Sequence, residues 1–122
     1  MDFIECACSG KSLTRLIRPV ILAILANESL HGYLINQRLE QWAMFKDNSP
    51  DVSGIYRTLK SMEEEKLIVS AWDFSDNAMP KRCFKVTPLG VKCLTQWIKT
   101  LESYQNSVKE ILSAARLSLV KN

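Results

Sequence analysis

Four cysteines are the most reactive side chains in the sequence. Cys6-x-Cys8 stands near the start, Cys83 lies in an alternating segment and Cys93 opens a helical stretch. If the leader packs on that helix, the thiolates of Cys6, Cys8 and Cys93 converge. They could then hold a metal ion, an iron–sulfur cluster or a haem, or form a redox switch. Cys-x-Cys is a weaker ligand pattern than paired Cys-x-x-Cys, and Cys83 and Cys93 equally suit small buried hydrophobes, so the choice between a cofactor and none stays open. A second chemistry is cationic. Arg57 and Lys60 share one helical face with Ser53, Gly54 and Ser61, and Lys81-Arg82 lie beside a turn. Such groups meet phosphates and base edges, although a solvated face has the same composition. Catalysis has little to work with. There is one histidine, His31, which is expected to cap or pack, and no Ser/His/Asp set, glycine-rich phosphate loop or carboxylate pair in a recognisable context.

The chain has 122 residues, enough for one domain or a domain with an appendage. With 47% hydrophobic and 24% charged residues it is globular in composition. The formal charge of +3 comes from 16 Lys+Arg against 13 Asp+Glu, which excludes a polycation but permits a local basic face. The longest apolar run, 20–26, is far short of the ~20 residues that span a bilayer. Asp2, Glu5, Arg15 and Arg18 break any signal-peptide pattern, so a cytoplasmic protein with reduced thiols and no membrane partner is expected.

The elements that would position these groups follow from periodicity. Residues 1–11 read as a flexible leader. From Leu13 to Leu25 the apolar residues recur at steps of three and four, a helix with Pro19 either kinking it or sitting in a first turn. Residues 27–29 are a break, and a second helix is expected over 32–43. Asp51 or Ser53 can cap a third, with Val52, Ile55, Leu59 and Met62 as its buried stripe. Residues 67–72 and 82–86 read as the two strands of a hairpin. Thr87-Pro88 caps and starts a last helix that runs to the end of the chain.

Three helices and a hairpin make a winged helix-turn-helix. The fold expected is mainly α with a small β-hairpin (α+β): a leader (1–11), a winged-helix DNA-binding domain (12–87) and a C-terminal dimerisation helix (88–122). In such a fold the third helix enters the major groove by its first two turns. Glu63, Glu64 and Glu65 lie at its far end, away from phosphate. Arg57 suits a bidentate guanine contact, and Lys60, Lys81 and Arg82 suit phosphate. The last helix carries Leu94, Ile98, Leu101, Gln105, Val108, Leu112, Ala115 and Leu119 at alternating steps of four and three. That heptad seam is too long to be covered by one small domain, so a homodimer is expected, with the first helix packing beside the long one and the partner's long helix covering the rest.

The motifs His31-Gly32-Tyr33, Gly54-Ile55-Tyr56-Arg57-Thr58-Leu59-Lys60, residues 62–68 and residues 81–90 occur in the order and spacing that resembles the PadR-like transcriptional regulators. The resemblance covers nearly the whole chain. It implies a winged-helix repressor of the compact subgroup that binds operator DNA as a homodimer through a single C-terminal helix. By the same resemblance, Tyr33 and Tyr56 place hydroxyls near phosphate, and Ser53, Gly54 and Arg57 sit at the groove. Two positions depart from the family pattern, which commonly has glycine at Lys66 and an aromatic at Cys83. Some relatives hold flat apolar effectors between aromatics at the dimer centre, which makes Trp97 a candidate effector contact beside its plainer reading as core. The function expected is therefore a dimeric, sequence-specific regulator of double-stranded DNA, released by a small apolar effector or a redox or metal signal. The alternative is a winged-helix module that binds protein instead of DNA.

Overall fold

A computed structural model describes residues 15–46, 50–75 and 79–121. The leader, with Cys6 and Cys8, lies outside the described residues. The elements are α1 (Ile17–Asn27), β1 (Leu30–His31), α2 (Gly32–Glu40), a 3-10 turn (Ala43–Phe45), α3 (Val52–Glu64), β2 (Ile68–Asp73), β3 (Lys81–Val86) and α4 (Pro88–Lys121). The fold is the expected one, mainly helical with a small antiparallel sheet. The sheet has three strands in the order β1-β3-β2, because Leu30 and His31 pair with Phe84 and Cys83. Two residues carry no readable period, so only the open edge of β3 defines this strand.

Pro19 occupies the first turn of α1, where an amide hydrogen has no helical partner to lose. Pro19, Val20, Ile21, Leu22, Ile24 and Leu25 are all buried, which makes α1 the central helix. Around it Ile35, Leu39, Phe45, Ile55, Leu59, Met62, Ile68 and Phe84 complete one core. Helix α2 stops at Glu40, three residues earlier than the sequence suggests. The amides of Gln41 and Trp42 turn back to the carbonyls of Arg38 and Leu39, and Phe45, not Trp42, enters the core.

Asp51 caps α3, its carboxylate accepting from the Gly54 amide at 2.8 Å. Ile55, Leu59 and Met62 are buried as the stripe requires, but Val52 is 53% exposed. It is the first helical residue and faces outward before the helix reaches the core. At the other end the Leu67 amide donates to the Met62 carbonyl (3.0 Å) and the Lys66 amide to the Glu63 carbonyl (2.9 Å). That is a Schellman ending with Lys66 as its left-handed residue, φ 64°. Glycine adopts this conformation without strain, and Lys66 holds it here with a side chain.

Thr87 joins the hairpin to α4. Its hydroxyl donates to the Lys66 carbonyl (2.6 Å), with the Leu67 carbonyl also in reach (3.0 Å), and accepts from the Gly90 amide (3.0 Å). Gly90 packs so tightly that a Cβ on it would lie 2.1 Å from the Leu67 carbonyl oxygen and 2.6 Å from a Val86 methyl. Gly90→Ala must therefore shift backbone, and is expected to cost about 1–3 kcal/mol, the usual range for overpacking. Urea unfolding checks this, and an unchanged midpoint would show that α4 can slide away freely. Beyond Leu101 every described α4 residue is exposed. Among the described residues no helix is long and apolar enough to cross a membrane.

Candidate nucleic-acid interface

The cap at Asp51 fixes the first turn of α3 and aims one face outward. Ser53, Arg57, Lys60 and Ser61 are exposed on it, with Gly54 half-buried beneath. Among the described residues neither Arg57 nor Lys60 has a hydrogen-bond or ion-pair partner. Arg57 lines an open cleft with Arg15 and Arg18, the latter paired with Glu65. Cationic groups thus collect around the first half of α3, while two of the three carboxylates at its far end, Glu63 and Glu65, are tied to neighbours.

Tyr56 leaves the same face and lies across α2. A Cβ on Gly32 would be 2.7 Å from its hydroxyl oxygen, so glycine leaves room for that ring. Tyr33, one residue on, stacks on His31 with centroids 6.0 Å apart, and the Lys81 ammonium sits 5.3 Å from the Tyr33 ring centre. His31 Nε2 in turn lies 2.9 Å from Asp73 Oδ2 at the outer end of β2. The start of α2 is in this way fastened to both strands of the wing. Hydrogen bonds from Ser75, then from His31, lower the Asp73 carboxyl from an ordinary 3.8 to about 2. A depressed carboxyl stabilises the fold above its unfolded value and loses that contribution as pH falls through the folded one. The Asp73 fastening is therefore complete above pH 4 and fades between about pH 4 and pH 2. The side-chain carbonyl carbon shift of Asp73 is expected to titrate near 2; a midpoint near 3.8 would contradict these bonds.

Arg82 is engaged by its own chain. Its Nε donates to the Ser70 hydroxyl at 2.8 Å and its Nη2 reaches both Glu63 carboxylate oxygens at 3.3 Å. The Ser70 hydroxyl donates to the same carboxylate at 2.9 Å. Sequence reasoning set Arg82 beside phosphate and Glu63 aside. The missing signal was register, since Ser70 and Phe84 are partners across the strands and Arg82 falls opposite Trp72.

Along α4, Leu94 and Leu101 are half-buried, while Ile98, Gln105, Val108, Leu112, Ala115 and Leu119 are exposed. Leu94, Ile98 and Leu101 form an apolar groove with Pro19 and Val20 of α1 and with Trp42. Trp97 faces elsewhere, packed in part against the core. Cys93 also packs there. Among the described residues no three His, Cys, Asp or Glu side chains are grouped to hold a metal.

The model of the transcriptional regulator PadR-like family matches residues 21–96, well over half of the chain. No curated protein matches it. Among solved structures, a PadR family regulator from Clostridium difficile R20291 is 19% identical with a TM-score of 0.70, the match covering 80% of this chain and 98% of that one. A PadR-like regulator from Bacillus cereus is 22% identical with a TM-score of 0.71, covering 82% and 94%. Bacillus subtilis PadR, solved in complex with operator DNA, is 25% identical with a TM-score of 0.60, covering 69% of this chain and 46% of that one. The chain belongs to the PadR-like family of transcriptional regulators, which are not enzymes.

Proposed function

We propose that this protein binds double-stranded operator DNA as a homodimer and acts in the cytoplasm as a repressor. The observation that carries this is the outward face of α3, where Ser53 and Gly54 precede two cations, Arg57 and Lys60, that have no partner among the described residues. Small residues let the helix approach the base edges, and the cations meet guanine and phosphate. The solved complex of Bacillus subtilis PadR with operator DNA supports the same use of the fold. Residues 12–87 form the reading domain and 88–122 the dimerisation helix. Tyr33, Tyr56 and Lys81 frame the second contact, along the backbone beside the wing.

The exposed apolar stripe of α4 supports the dimer. The helix's 34 residues extend about 51 Å at 1.5 Å per residue. Beyond the groove on α1, Val108, Ile111, Leu112 and Leu119 stay exposed among the described residues. A second copy buries that stripe and doubles the reading helices. Release from DNA then belongs to a signal read near the seam. A small apolar effector would meet Trp97 or the neighbouring groove, and a redox or metal signal would meet Cys6, Cys8 and Cys93.

Selection of bound fragments from the source genome, followed by salt titration of the best fragment, tests this reading. Affinity is expected to fall steeply with salt, each neutralised phosphate adding about 0.9 to the slope. A module that binds only protein would select no fragment and show no such slope.

A further inference from the structure

Arg82 is a wing cation whose guanidinium is already engaged by an acid of the reading helix. Glu63, Ser70 and Arg82 close a triangle in which every edge is a hydrogen bond: Arg82 to Ser70, Ser70 to Glu63 and Arg82 to Glu63. The pair is not deeply buried, with the two side chains 52% and 29% exposed. It lies in an open cleft whose other walls are Tyr56, Lys60, Trp72, Phe84 and a second carboxylate, Glu64, which has no hydrogen-bond or ion-pair partner among the described residues. A phosphate drawn to Lys60 therefore arrives within the same cleft as the Glu63–Arg82 pair.

A carboxylate at this place has a price in affinity, because it cancels a cation beside the DNA-facing surface. Resting on the DNA-binding reading above, we propose that Glu63 acts as a specificity-determining counter-charge. It keeps Arg82 from loosely held, non-operator phosphates and yields it only where the operator fixes a phosphate close to Lys60. Arg82 exchanges one oxyanion for another of the same hydrogen-bonding geometry, so its own bonding is preserved. Weak, mobile phosphates do not displace a carboxylate already aligned by Ser70. The result is lower non-specific affinity for little loss on the operator, and regulation depends on that ratio.

The experiment measures binding of the full chain to its selected operator and to a random duplex across a salt series, for wild type, Glu63→Gln, Arg82→Gln and the double variant. Glutamine keeps the size of Glu63 and a partner for Ser70 while removing the charge. On random duplex, Glu63→Gln is expected to steepen the salt slope by about 0.9 per protomer and tighten binding roughly eightfold per contact near 0.1 M salt. On the operator its slope stays as in wild type. Arg82→Gln lowers the slope on the operator alone, and the double variant returns to the wild-type slope on random duplex. Unchanged random-duplex binding for Glu63→Gln, or equal loss on both duplexes for Arg82→Gln, overturns the counter-charge role. Failure of the wild type to bind any duplex would instead overturn the DNA-binding reading. Thermal melting of each variant, expected within a few degrees of wild type, separates these outcomes from misfolding.

Discussion

Leu112→Glu is expected to leave the protomer folded and to abolish the dimer. The side chain is exposed among the described residues, so no contact with the described core is lost. Glutamate and leucine have similar helix propensities, and α4 itself persists. In the proposed dimer the same position falls on the seam, where each copy would bury a carboxylate against apolar neighbours without a partner. Sedimentation should give monomers at concentrations where wild type is dimeric. Operator affinity should fall about 10²–10⁴-fold, the advantage of linked half-sites, while circular dichroism stays unchanged. A dimer that survives the substitution would remove the seam. Leu101→Glu is a less clean test, since Leu101 is half-buried in the groove on α1.

The second large effect is expected at Arg57. It leaves the first half of α3, beyond the caps and clear of the acidic end, and has no partner among the described residues. A bidentate contact to guanine is worth about 1–3 kcal/mol, so two protomers lose about 2–6 kcal/mol of operator binding in Arg57→Ala. Random duplex should lose far less, because one phosphate-range cation per protomer is a minor part of that binding. The specificity ratio then collapses. Equal losses on both duplexes would show that Arg57 meets phosphate only.

How legible this protein is depends on how local each feature is. The Asp51 cap, the Ile55–Leu59–Met62 stripe and the Thr87-Pro88 start are set by neighbours within a turn or two, and all are found where the spacing puts them. The pairing of Leu30–His31 with β3 joins segments more than 50 residues apart and leaves no local trace. The same holds for Arg82. Its residue type suggested phosphate, whereas its partner Glu63 is 19 residues away and is brought near only by the turn at Lys66. Val52 obeys the helical period yet faces solvent, because periodicity does not say where along a helix the core begins. The outward face of α3 is legible in its residue types, whereas Tyr33 and Tyr56 stand out only through the family resemblance. Packing then accounts for their motifs, with Gly32 making room for Tyr56 and His31 and Lys81 flanking Tyr33.

A hydroxyl-radical footprint on the selected operator bears most directly on the claim that two α3 helices read one duplex. Two protected patches are expected, centred about 10 base pairs apart or a multiple of that, related by an approximate palindrome. Cleavage that is uniform in dilute salt, or a single unsymmetrical patch under conditions where the protein is dimeric, would contradict it.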